Sequence, residues 1–519
     1  MLLLPSFLPL TVVLVALGRA CLADSLNASL GHEPRDLLAP RKLPDADGNK
    51  YRFKFGGPTL KGDTLFGVGI GSWLVLESFI TPSIFDQSGK DGKAVYDEWT
   101  FVDAVGAQKA TQILRDHHDK WITEDDFRLM KEYGLNAARI PIGYWAFDVQ
   151  PGESYLKLDQ WAMLLRACEW AQKHGIKVIV DLHGAPGSQN GYDHSGHRGA
   201  LNWDKQQSNI DRTLAIIRTM ATEFSQAKWA DTIIALELLN EPKGVDMAKL
   251  KKFYQDAYHE IRSRGNLAVV LSDSFMGVGN WNDTLPYPQY EGVLIDPHIY
   301  FLFTAADLKL DPKVRAYRMC SHVAQFKQIN SEHHWIMTGE WSPASTDCAI
   351  NINGRQAGSR YDGSYKGGGN NNGAVQNANI GSCAPWRGSA SKWSQAQKDD
   401  LARWWETGMD AYYSGAGGFF WAWKTEDGTA EDFSYVAGVK NGWIPKNPRA
   451  RPHGFHCPGV KEEGAINLSN GSSDGGTTGK SQASMAKRGV GGIAARSSYV
   501  PCSIFGSTLI VGGLILLFM

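Results

Sequence analysis

An α/β fold of the (β/α)8, or TIM-barrel, class is predicted by three observations. Short apolar runs alternate with helix-like segments between about residue 60 and residue 425, the runs number eight, and each is apolar throughout rather than at every second position. Strand–helix alternation implies parallel strands, which are covered on both faces and therefore read as continuous apolar runs. Eight such units suggest a closed barrel rather than an open sheet.

The runs in order are LFGVGIGSWLVLE (65–77), AARIPIG (137–143), KVIVDLHG (177–184), TIIALELLNEP (232–242), LAVVLSDS (267–274), GVLIDPHIY (292–300), HWIMTGEWS (334–342) and GAGGFFWAWK (415–424). The segments between them carry 3.6-residue periodicity. In TEDDFRLMKEYG, Thr123 is placed to cap a helix and Asp126 to support its first turn. The Gly-rich GVGIGS at 67–72 misses the dinucleotide-binding spacing and is followed by no helix, which argues against a nucleotide-binding sheet. Residues 342–393, between the seventh and eighth strands, include YKGGGNNNGAVQNANIGS. A patternless stretch of that length in a compact domain is usually functional or disordered.

The chain has 519 residues and a formal net charge of −1, with no long basic run, so nothing points to nucleic acid. Its 18 Trp and 18 Tyr fit either a large core or flat rings lining a carbohydrate cleft. Residues 1–23 read as a secretory signal peptide, 24–59 as an N-terminal extension, 60–460 as one catalytic domain, 461–499 as a polar Ser/Gly-rich linker and 500–519 as a hydrophobic tail. The apolar stretch 503–519 is shorter than the ~20 residues of a spanning helix. Following a small-residue tract, it fits a GPI-attachment signal, with a retained membrane anchor as the alternative. Secretion makes four Asn-x-Ser/Thr sites available, at Asn27, Asn282, Asn467 and Asn470. Cys320, Cys348, Cys383 and Cys457 would form two disulfides, of which sequence allows three connectivities. A Cys348–Cys383 bridge would staple the long loop into an ordered rim.

Polar residues gather where the strands end, which is where a barrel of this class builds its site. They are Glu77, Arg139, His183, the pair Asn240–Glu241, His298 with Tyr300, Glu340, and Trp421. Any one has a structural reading as plausible as a functional one, but the whole set does not. Two carboxylates from opposite sides of a barrel suit glycosidic cleavage, where one protonates the leaving oxygen and the other attacks or directs water. His117/His118 and His333/His334 are adjacent pairs without metal-ligand spacing, no Gly-x-Ser-x-Gly elbow lies within residues 60–460, and no metal or cofactor is expected.

These motifs resemble glycoside hydrolase family 5, and within it the fungal exo-1,3-β-glucanases. The resemblance is carried by WLVLESFITPSIF (73–85), RIPIGYWAF (139–147), DLHGAPGSQNGYD (181–193), LLNEP (238–242), HIY (298–300), GEWS (339–342), TDC (346–348) and FWAWKTE (420–426). It implies a retaining enzyme, monomeric and free of cofactors, that releases glucose from the non-reducing end of β-1,3-glucan. By position it implies Glu241 as acid/base and Glu340 as nucleophile. Arg139 would keep Glu340 ionised while the less compensated Glu241 holds its proton. Asn240 would bind the sugar 2-hydroxyl, Tyr300 orient Glu340, and His183 and His298 support the same subsite. Glu77 and Trp421 would hold the terminal glucose, with Asp193 also in contact, and Tyr192 and Phe303 would clamp the next sugar. His194 stands where the family often has Asn, Tyr192 where Phe is common, and Ala357 where Arg occurs. Two other readings are a wall glucan transglycosylase, or a hydrolase of another β-linkage, and a non-catalytic glucan-binding protein. One charge in the fourth run, Glu237, shares side-chain parity with Glu241 and should point into the barrel one layer deeper, paired with Arg139 or another interior donor.

Overall fold

A computed structural model describes residues 50–199, 201–367 and 376–458. Its strands are β1 (Leu65–Gly69), β2 (Ala137–Gly143), β3 (Lys177–Gly184), β4 (Ile233–Glu237), β5 (Ala268–Ser272), β6 (Val293–Asp296), β7 (His298–Ile299), β8 (Trp335–Trp341) and β9 (Gly417–Phe420). Every pairing is parallel, and β1 joins β9 as β6 joins β8, which closes the ring. The predicted eight staves are present, with the sixth split into β6 and β7. Pro297 lies at the split, and with no N–H to give the ladder it interrupts the pairing.

Helices cover the outside: α1 (Glu98–Val105), α2 (Ala107–Trp121), α3 (Glu124–Glu132), α4 (Gln160–His174), α5 (Gln207–Phe224), α6 (Met247–Arg262), α7 (Pro312–Glu332) and α8 (Gln395–Tyr412). The cap predicted for α3 is present, since Asp126 Oδ2 accepts the Thr123 N–H at 2.8 Å. Asp126 Oδ1 also accepts from Trp423 Nε1 and Lys424 Nζ, tying α3 to the segment that leaves β9. Strict alternation fails at one place. Between β5 and β6 the described chain forms only a 3-10 turn, Val278–Trp281, because Gly277, Gly279, Pro286 and Pro288 leave no run long enough for a helix.

The core has two parts. One lies between strands and helices. The other fills the lower barrel with Leu65, Ala137, Ile179, Ala235, Val270, Leu294, Met337 and Phe419, and Phe53 and Phe55 join it from the preceding segment, Phe55 stacked on Trp335. An apolar plug at that end leaves the C-terminal ends of the strands as the place for polar chemistry.

Of the three possible connectivities, the chain adopts Cys320–Cys457 and Cys348–Cys383. The second closes the β8–β9 loop, whose other organiser is the buried Asp347, accepting from Ser359 Oγ and from the backbone of Arg360 and Tyr361. Cys168 is buried and unpaired within α4. No helix among the described residues is long and apolar enough to cross a membrane. The signal segment, the hydrophobic tail, Asn27, Asn467 and Asn470 lie outside the described residues. Asn282 lies within them, half-buried at the end of the 3-10 turn.

Candidate active site

The site is built on Arg139, which is 0% exposed in β2. A lone buried guanidinium would cost several kcal/mol, and here it is surrounded. Its fork meets Glu237, with Nε to Oε2 at 2.7 Å and Nη2 to Oε1 at 3.0 Å. Nη2 also reaches Asp181 at 3.1 Å and donates to Asn240 Oδ1 at 2.7 Å, while Nη1 donates to Glu340 Oε1 at 2.9 Å. Glu237 therefore has the interior partner expected of it.

Glu340 projects from β8, where the strand carries an extra residue. Against β6 and β7 the register passes from Ile295↔Ile336 to His298↔Glu340, and against β9 from Thr338↔Gly418 to Trp341↔Phe420. This bulge falls at Gly339, whose N–H is captured by Asp296 Oδ1. A Cβ on Gly339 would meet Asp296 Oδ2 at 1.9 Å, so only glycine fits. Bulges re-aim side chains beside active sites, and this one sets Glu340 opposite His298. Tyr300 completes the arrangement by donating its hydroxyl to Glu340 Oε2 at 3.0 Å.

Glu241 is placed differently from expectation. The fourth strand stops at Glu237, and Asn240 and Glu241 lie in the loop beyond it, Glu241 at φ 45°. A non-glycine residue in this left-handed region needs support from its surroundings. Gln189 Nε2 supplies it by donating to Asn240 O at 2.9 Å, and Asn190 Nδ2 by donating to Glu241 O at 3.2 Å. Glu77 is also past its strand, in the loop after β1 rather than at the end of β1, and accepts the Ser72 N–H.

The electrostatics overturn one expectation. Glu241 is not left uncompensated: Oε1 is 2.7 Å from His298 Nδ1, and Oε2 is 3.4 Å from His194 Nε2. Burial pushes Glu241 up, but the His298 hydrogen bond and the His194 and His298 charges outweigh it and hold the carboxyl well below its ordinary value. For His298 burial opposes the charge, yet Glu340 and Asp296 win and raise it. Burial and the nearby Arg139 lower His183, whose ring lies parallel to Trp421 at 5.8 Å. Burial and Glu340 raise Glu77 well above its usual range.

A cavity of about 990 Å³ opens above these groups. Its lining includes Glu77, His183, Tyr192, Asp193, Glu241, His298, Tyr300, Phe303, Glu340 and Trp421, together with Asn353, Arg360 and Tyr365 of the stapled loop. Arg139 and Asn240 are not among the lining residues, and Asn240 Nδ2 is buried without a hydrogen-bond partner. Sequence reading missed Asp181, Asp296, Gln189 and Asn190. Asp181 and Asp296 carried the same signal as Glu237, a carboxylate inside an apolar run. Gln189 and Asn190 sit in an ordinary-looking polar loop and carried none.

Glu98 supports the mouth from outside the barrel, accepting the Leu76 N–H next to Glu77. Burial lifts Glu98 to about 8 and Asp432 to about 7. Folded, both keep protons that the unfolded chain has lost, so their contribution to stability is full at low pH and disappears as pH rises through those values. Buried His117, lowered to about 3, and His334, lowered to about 4, act oppositely, but only below their ordinary 6.5. The melting temperature should therefore fall between pH 6.5 and pH 8, as scanning calorimetry would show; a rise across that window would contradict the assignment.

The family model for cellulase, glycosyl hydrolase family 5, matches residues 101–357. A glucan 1,3-beta-glucosidase of Schwanniomyces occidentalis is 38% identical over 383 residues, covering 72% of this chain and 87% of the relative. One from Blumeria graminis is 38% identical over 395 residues, covering 75% and 89%. Among solved structures, rutinosidase from Aspergillus niger shares the fold at a TM-score of 0.56 and 19% identity, covering 76% of this chain and 99% of that one.

Proposed function

We propose that this chain, which belongs to glycosyl hydrolase family 5, is a retaining exo-β-1,3-glucosidase that frees glucose from the non-reducing end of β-1,3-glucan. The observation that carries the reading is the pairing of Glu241 and Glu340 across the cavity, with oxygens of both carboxyls and a nitrogen of His298 all within 4.8 Å of one another. That closeness suits the roughly 5–5.5 Å between carboxyl groups of a double displacement better than the roughly 6.5–9.5 Å of inversion. Secretion would deliver such an enzyme to wall glucan.

In the first step Glu340 attacks the anomeric carbon as the glycosidic bond breaks, and the leaving oxygen takes a proton from Glu241, which is ionised in the free protein and must gain that proton as the bound sugar displaces water around it. A glucosyl ester on Glu340 results. In the second step Glu241 accepts a proton from water, the water oxygen bonds to the anomeric carbon, and the ester breaks. Arg139 and Tyr300 hold Glu340 in line, and the Asn240 amide donor is free for the neighbouring sugar hydroxyl. Trp421 offers a flat face to the ring. The loop carrying Glu77 and the stapled β8–β9 loop contribute to the cavity walls, which suits a chain end better than a continuous chain.

The test is a time course on linear β-1,3-glucan followed by NMR. Glucose should appear first as the β-anomer. Initial α-glucose would exclude retention, and initial release of oligosaccharides would exclude exo action. The aromatic entrance formed by Tyr192 and the 38%-exposed Phe303 also favours capture of an acceptor sugar, and transfer products at high substrate concentration would reveal it.

A further inference from the structure

We propose that His194 is a positioning residue for the acid/base, its Nε2 set 3.4 Å from Glu241 Oε2 to steady the carboxylate left between the two chemical steps. The inference rests on the role given to Glu241 above. It starts from the division of the two Glu241 oxygens between two imidazoles. Oε1 belongs to His298, buried in the barrel wall, so the proton that reaches the leaving oxygen travels on Oε2, the oxygen His194 faces at 3.4 Å. The His194 side chain is 29% exposed, so it meets solvent as His298, at 1%, does not.

The contact is held from both sides by one amide. Asn190 Oδ1 accepts from Tyr192 N and Ser195 Oγ, fixing the 3-10 turn Asp193–Ser195 that carries His194. Asn190 Nδ2 donates to Glu241 O. Turn and acid/base are thus braced against each other, and the distance between them is built in. The His194 ring is edge-on to His183 at 5.8 Å and tilted against Tyr192 at 5.2 Å, which limits its rotation. The charged and titratable groups facing this pair are His298 and Tyr300 beyond β6, His183 and Asp181 on β3, Glu340 on β8, Glu77 in the β1 loop, Asp193 beside it, and Lys243 over the Tyr192 ring. His194 is the imidazole of this group that can be exchanged without opening the barrel wall.

When the Oε2–H bond breaks and the leaving oxygen takes the proton, the new carboxylate is stabilised by the His194 imidazole beside it. The same imidazole lowers the basicity of Glu241 when it next takes a proton from water. An asparagine here, as the family often has, would offer no positive charge. A cationic partner within about 4–6 Å of a carboxylate lowers its pKa, so removing the imidazole should move the cluster's proton loss to higher pH.

The experiment compares pH profiles of kcat/KM for the parent, His194→Asn and His194→Gln. It uses one aryl glucoside with a poor leaving group and one dinitrophenyl glucoside that needs no protonation. With the poor leaving group, the basic limb should move up by about half a pH unit or more in both variants. With the dinitrophenyl substrate that limb should be absent from all three. A basic limb unmoved in variants that keep the parent melting temperature overturns the proposal, as does a uniform loss of rate with no shift. Glu241→Gln, run alongside, separates the two readings. If it loses equal activity on both substrates, the role of Glu241 itself fails, whatever the His194 variants do.

Discussion

Glu340→Gln should abolish turnover of β-glucan, a loss of at least about 10⁴-fold, while melting close to the parent temperature. The amide keeps the shape of the side chain but cannot form the glucosyl ester, and with a covalent step removed no other group on the cavity wall is placed to replace it. The fold should survive because Arg139 retains Glu237 and Asp181 after the change. Glu241→Gln provides the contrast. Its loss should be severe on glucan and on alkyl glucosides but small for the first step of a dinitrophenyl glucoside, whose leaving group needs no proton. Added azide should then speed release of the stalled glucosyl-enzyme as a β-glucosyl azide. Parent-like activity in Glu340→Gln would sink the mechanism, and unrescued Glu241→Gln would sink the role of Glu241 alone.

Arg139→Met should cost about 3–5 kcal/mol of stability and all activity. Removing one partner of a buried ion pair leaves the other charge uncompensated, and here Glu237 and Asp181 are both left, at 0% exposure. Glu340 loses its arginine contact at the same moment. Arg139→Lys should recover little, because a single ammonium cannot reproduce the fork that meets Glu237 with Nε and Nη2 while Nη1 reaches Glu340. Urea unfolding of both variants reads the first effect. A midpoint within the error of the parent would mean that the carboxylates have protonated and repacked without the arginine.

The barrel was legible because parallel strands buried on both faces leave an unmistakable trace, and all eight staves fall within the runs identified from sequence. Strand ends were less legible. Leu238 and Leu239 continue the apolar pattern past β4, yet the chain has left the strand and Glu241 sits in a left-handed loop. Apolar content reports burial, and burial does not stop where the ladder does. The missing helix after β5 was visible in its glycines and prolines but was masked by the regularity around it. That Glu241 and Glu340 meet at one cavity, with Arg139 against Glu340, could be expected from motif and position. The ionisation state of Glu241 could not, because it depends on His298 from β7 and His194 from the β3 loop, two residues 57 and 47 positions away along the chain. Chain distance carries no record of which imidazole meets which carboxyl.

The extra residue in β8 decides which side chain the cavity receives. Side chains alternate between the two faces of a strand, so a one-residue slip exchanges them. Deleting Gly339 would send Glu340 outward toward the helices and bring Trp341 to the cavity, with no change to any functional group. Whether the cavity receives a carboxylate or an indole thus depends on a count of residues between Thr338 and Trp341, and on a hydrogen atom where any other side chain would collide with Asp296.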